Sequence, residues 1–152
     1  MTSWFWGIQY VFLGEELGAR RFEEECYVED VAKYDLIAGT EAFARGIRRL
    51  RTGILRHRIV LLCAERDPLT CHRTILVCRH LRNDIAISHI VGPGECESHD
   101  QAEVRLLKLI GLPERDLFHS KDELLNDAYE KQGDLIAYKR TSLAKANSTE
   151  EN

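Results

Sequence analysis

Two cysteines, a histidine, two acids and two arginines fall within the run Cys63-Ala64-Glu65-Arg66-Asp67-Pro68-Leu69-Thr70-Cys71-His72-Arg73. Thiol, imidazole, carboxylate and guanidinium are the groups of nucleophilic catalysis, proton transfer and anion binding. Cys71 has the clearest rationale as a nucleophile. It lies near a helix start beside His72 and Arg73, where positive potential can bring a thiol down to a pKa of roughly 3.5–7.5. Cys63 ends an apolar run, where desolvation penalises the thiolate. Glu65 could take a proton or orient a ligand hydroxyl, and Arg73 with nearby backbone N–H groups could hold a phosphate or carboxylate.

Other chemistries fit less well. A phosphatase loop needs an arginine six residues after its cysteine, but that count reaches Leu69 from Cys63 and Val77 from Cys71. Cys63, Cys71 and His72, with Glu65 or Cys96, are zinc-ligand types. Their spacing forms no pair of knuckles, so no metal is expected and the cofactor is left unknown. The bland alternative is packing, since a free cysteine is more often a small buried hydrophobe than a reactive group. Cys78 is expected to pack on the apolar side of its helix.

A strand before the segment and a helix after it would position these groups. Ile59-Val60-Leu61-Leu62-Cys63 is a short unbroken apolar run of the kind found in central parallel strands. Asp67-Pro68 is a cap and first-position pair that would start a helix, or Thr70 caps it and Cys71 is its first residue. A second β-like run, residues 86–91, is closed by Gly92-Pro93-Gly94. Strand, helix from about residue 70 to 82, and strand make a βαβ unit. The expected fold class is therefore α/β, a three-layer, mainly parallel sheet covered by helices. The carboxyl end of such a strand is where ligands collect.

Further elements follow from local signals. Ile8-Gln9-Tyr10-Val11-Phe12-Leu13 reads as a strand, followed by a turn bracketed by Gly14 and Gly18. Thr40 caps a helix whose buried face carries Phe43, Ile47, Leu50 and Ile54. Ser98 with Gln101 and Ser120 with Glu123 are candidate capping boxes, and Gly111 with Pro113 supplies a stop. The acidic stretch from Glu15 to Asp35 reads as a surface segment with short helices at most. The domain is expected to span residues 8–138, and residues 139–152 to form a disordered polar tail.

Composition bounds the class. The chain has 152 residues, enough for one domain with a real core, and its 44% hydrophobic and 30% charged content is that of a soluble globular protein. Five cysteines cannot all pair, and no apolar stretch approaches a membrane span, so a cytoplasmic location is the default expectation. A net charge of −4 argues against a dedicated polyanion binder. The exception is Arg45, Arg48, Arg49, Arg51, Arg56, His57 and Arg58, with no acid between Ala42 and Ala64. It keeps nucleic-acid association as the alternative, against the simpler reading of a solvated helix face.

The run LLCAERDPLTCHRTILVCRHL resembles the hallmark of the domain of unknown function 488 family, in which Cys-Ala-Glu, Asp-Pro and Cys-His-Arg recur at this spacing before a helix. Tyr10 to Gly18, His89-Ile90 and Ile136-Ala137-Tyr138 are similar to further family segments. The resemblance places the motif on Cys63, Glu65, Pro68, Cys71, His72 and Arg73, with Gly14, Leu17, Gly18 and Arg20 in the earlier loop. Ala19 stands where a second glycine is common. Members usually begin with a strand, a helix and a second strand that are not found here, so the resemblance implies an N-terminally incomplete α/β domain, an inactive remnant among the outcomes. An exposed strand or face is then expected to favour self-association.

The leading expectation for function is a small-molecule, anionic or nucleotide-type ligand site. Its catalytic candidates are Cys71, His72 and Glu65; its ligand-binding candidates are Arg73, Cys63, Gly18 and Arg20. The sequence does not decide whether the chain is an enzyme.

Overall fold

A computed structural model describes residues 2–5 and 7–141. In chain order the elements are β1 (Thr2–Phe5), β2 (Ile8–Val11), α1 (Gly14–Leu17), β3 (Tyr27–Val28), β4 (Val31–Ala32), α2 (Tyr34–Ala38), α3 (Glu41–Ile54), β5 (Ser88–Gly92), β6 (Glu95–Ser98), α4 (His99–Ile110) and α5 (Lys121–Ile136). Short 3-10 turns cover Glu24–Cys26, Pro68–Thr70 and Cys78–His80, and Arg73–Val77 winds as a π-helical turn.

Helix and strand are mixed, but the parallel sheet expected from the βαβ pattern is not formed among the described residues. Every ladder there is an antiparallel two-stranded hairpin: β1 with β2, β3 with β4, β5 with β6. Residues 58–63 form no ladder and no helix, and the strand expected at 86–91 starts at Ser88 and turns back through Gly94, at φ 74°, into β6. Gly-Pro-Gly closes the run as expected, but by turning it back into an antiparallel hairpin. Val60 and Leu62 are correspondingly exposed, which the buried-strand reading did not foresee.

The helices hold the core. Thr40 caps α3 by accepting from the Phe43 N–H, and Phe43, Ile47 and Leu50 are buried as the periodicity predicts. Both capping boxes form, Ser98 with Gln101 and Ser120 with Glu123, and Gly111 ends α4 in the left-handed region. Leu106 and Leu107 from α4 and Leu124, Leu125, Ala128 and Tyr129 from α5 close over Leu69, Ile75, Leu76 and Val77. Burying a Leu or Ile side chain stabilises by roughly 1.5–3 kcal/mol, so this cluster is the main support of the turn before it.

The segment after the expected domain end is placed as far as it is described. Lys139 bridges Val31, the Arg140 N–H donates to the Asp30 carbonyl, and the Arg140 guanidinium stacks 3.5 Å over the Tyr27 ring. The expected tail from 142 to 152 lies outside the described residues.

Candidate functional site

Residues 63–73 form a double turn built by successive caps. Asp67 accepts from the Leu69 N–H at 2.9 Å and starts the 3-10 turn Pro68–Thr70. Cys71 then breaks the helix with extended backbone, φ −119° and ψ 133°, and caps the next one. Its carbonyl accepts from Thr74 and Ile75, and its Sγ from the Arg73 N–H at 3.4 Å. Thr70 is therefore not the cap, and the helix expected over 70–82 is a succession of 3-10, π and 3-10 turns.

Three contacts fix this turn in the fold. Arg105 of α4 forks between both Asp67 oxygens, at 3.0 and 3.1 Å, and the Glu97 carboxylate, at 2.9 Å. The guanidinium holds the Asp67 carboxyl below its ordinary range. From α5, the buried Gln132 donates its Nε2 hydrogen to the Leu69 carbonyl at 2.6 Å. Arg73 Nη1 donates to the Leu61 carbonyl at 3.1 Å and so ties the run 58–63 to the helix start.

That tie brings Cys63 over His72, with Sγ 3.7 Å from Nδ1. The donor atoms of Cys63, Cys71 and His72 all lie within 4.8 Å of one another. The structure thus brings together three of the sequence-predicted residues and places Arg73 at their edge. Glu65 is exposed, and its charge reaches His72 as a raising influence, outweighed by burial and by Arg73, which lower the imidazole pKa. Arg20 also acts on His72 through its charge, while its guanidinium stacks over the Tyr138 ring at 4.9 Å. Gly18 lies in the loop before Arg20, where a Cβ would strike the Gly14 carbonyl; the structure gives it no contact with the cluster. A shallow cavity of about 280 Å³ opens beside the turn, lined by Arg66, Asp67, Pro68, Val91 and Arg105.

The ionisation expected of Cys71 is reversed. Its side chain is fully buried, and burial, reinforced by Cys63, pushes its thiol up to about 12 against the Arg73 N–H and charge. A cap position offers one N–H, while burial removes all water, and the second effect wins. Cys63 is half-buried and is the more accessible thiol of the two. Cys78 is buried as expected, Cys26 is buried and Cys96 exposed.

Sequence reasoning missed a second polar assembly behind the turn. His89 Nε2 lies 2.9 Å from His99 Nδ1, and His99 Nε2 lies 3.0 Å from the Tyr129 hydroxyl. That hydroxyl donates to Glu103 at 3.0 Å, and Arg82 bridges Glu103 and Asp122. The one sequence signal was the i, i+4 pair His99 and Glu103 on α4. The arginines of α3 are in part paired: Arg48 with Glu41, Arg49 with Glu16 and Arg51 with Asp84. No described helix is long and apolar enough to cross a membrane.

A family model described as "Domain of unknown function DUF488" matches residues 3–79, a span that contains the whole double turn and ends before α4 and α5. No curated protein and no solved structure matches the chain.

Proposed function

The chain belongs to the family described as domain of unknown function DUF488, and on that footing we propose that it carries a small-molecule site at the 63–73 turn. An anionic or nucleotide-type ligand is held there by Arg73 and Arg20, beside a reactive pair formed by Cys63 and His72. The carrying observation is the 3.7 Å approach of Cys63 Sγ to His72 Nδ1. The imidazole stands where it can accept the thiol proton and leave a nucleophilic thiolate. Exposed Glu65 exchanges that proton with solvent, and buried Cys71 stands behind Cys63 as a second thiol. The domain stands in this reading as a variant of the α/β class in which the run 58–63 serves the site rather than a sheet. Nucleic-acid binding through α3 has less support, because Arg48, Arg49 and Arg51 already face carboxylates.

Alkylation of the chelator-treated chain, read per cysteine by mass spectrometry, tests the proposal. Exposed Cys96 and then Cys63 should label ahead of Cys26, Cys71 and Cys78. His72→Ala should slow Cys63 and leave Cys96 unchanged, and inorganic phosphate should protect Cys63 alone. Labelling of Cys63 only on unfolding, or at an unchanged rate in His72→Ala, would overturn the reactive pair. Absence of phosphate protection would overturn the anion site.

A further inference from the structure

We propose that Cys63, Cys71 and His72 together bind one divalent ion of the zinc class. Thiolate sulfur and imidazole nitrogen are the donors such ions prefer, and among the described residues this is the one group of three such donor-bearing side chains drawn within 4.8 Å. The spacing is close to that of a coordination tetrahedron. Zn–S of about 2.3 Å and Zn–N of about 2.0–2.1 Å at a tetrahedral angle put sulfur and nitrogen about 3.6 Å apart. Cys63 Sγ and His72 Nδ1 are 3.7 Å apart.

The surroundings preorganise the three donors. Cys71 and His72 are neighbours in the turn, and the run before it brings Cys63 to them. The Arg73 side chain pins the run that carries Cys63, and the Arg73 backbone N–H points at Cys71 Sγ. An N–H to a ligating sulfur is the kind of outer contact that orients a metal ligand and offsets its charge. A buried thiol with such a donor, facing a second thiol and an imidazole, has a use as a ligand that it lacks as a free nucleophile.

Three protein ligands leave a fourth position, the pattern of catalytic rather than structural zinc. Water or an anionic group of a ligand would complete it. The ion is ligated by Cys63, Cys71 and His72 and the anion by Arg73 and Arg20, so the two sites have separate ligands and are tested separately. An occupied metal site withdraws both thiols from alkylation; the thiol chemistry proposed above then belongs to the metal-free chain.

Cobalt(II) added to the reduced, chelator-stripped full chain is the direct test. One cobalt per chain should bind, with the visible bands of tetrahedral cobalt and a near-ultraviolet thiolate charge-transfer band, and zinc should displace it. Cys63, the accessible thiol of the pair, should become protected from alkylation. Cys63→Ser and His72→Ala each lie on a half-buried side chain and leave the core intact; each should weaken binding by at least about tenfold. Cys96→Ser should leave it unchanged, and circular dichroism checks that every variant is folded. Absence of the thiolate band in the wild type, or wild-type affinity in folded Cys63→Ser or His72→Ala, would overturn the metal site. Phosphate protection of Cys63 in the stripped chain, measured separately, reports on the anion site alone.

Discussion

Lowering the pH from 7 to 5 should destabilise this chain through the buried pair His89 and His99. Both are about 5% exposed, and burial first, with neighbouring positive charge second, holds each at a pKa of about 4 against an ordinary 6.5. The hydrogen bonds explain why. Tyr129 gives its hydroxyl hydrogen to Glu103, so its oxygen accepts from His99 Nε2, and His99 Nδ1 is left to accept from His89 Nε2. A proton on His99 Nδ1 forces His89 into its other tautomer, one on His89 Nδ1 keeps the bonds but leaves a buried positive charge, and protonating both rings fully keeps the His99 Nδ1 from accepting. Because the folded pKa lies below the unfolded one, the unfolded chain binds the proton more readily. The stabilisation is complete above pH 6.5 and is lost as pH falls through about 4. Linkage gives about 2 kcal/mol lost per histidine between pH 7 and 5, and roughly 4 kcal/mol for both, with the lower figure applying if only one titrates. Urea unfolding at the two pH values measures the difference, and His99→Gln should flatten it while lowering stability at pH 7. A change below about 1 kcal/mol, or the full change retained in His99→Gln, would refute the reasoning.

Gln132→Met keeps side-chain length but leaves the Leu69 carbonyl without its buried donor, and should cost about 1–3 kcal/mol in a urea midpoint series. Gly46→Ala should lower the thermal midpoint despite the better helix former, because a Cβ there would sit 2.6 Å from Leu17 Cδ2 and 2.8 Å from Glu16 Cβ. Overpacking of about 1–3 kcal/mol then outweighs a propensity gain of about 1 kcal/mol. Exposed Val60 and Leu62 on an unladdered run should make the chain self-associate as its concentration rises. Sedimentation velocity reads this directly, with Leu62→Lys expected to reverse it.

The elements that the sequence specified well are those whose cause is local. Thr40, Ser98 and Ser120 each act on an N–H three residues away, and Gly111 supplies a positive φ, so their signals survive without tertiary context. The run Ile59 to Cys63 has the composition of a buried strand, yet a strand exists only by its partner, and that partner is a tertiary fact. Hence 58–63 forms no strand, and 88–92 pairs with the polar Glu95–Ser98 segment that no apolar pattern marked. At the site, the Cys-His-Arg motif identified which groups meet. Which thiol is accessible was not legible, because the full burial of Cys71 is a matter of tertiary packing. The histidine assembly spans residues 82 to 129 and left only one short-range trace.

The π-helical turn Arg73–Val77 acts as a phase adjuster between chemistry and core. A residue in an α-helix turns the chain by about 100°, and a π turn holds one residue more per closed hydrogen bond than an α turn. Here that extra residue lets Cys71 and His72 face the run 58–63 while Thr74 through Cys78 are all buried. Deleting one residue within 73–77 would restore α pitch, at the cost of either a buried side chain from Thr74 to Val77 or the Arg73 tie to Leu61. It would swing the Cys71–His72 end through about 100° and part it from Cys63, so the insertion sets the alignment of the site together with that tie.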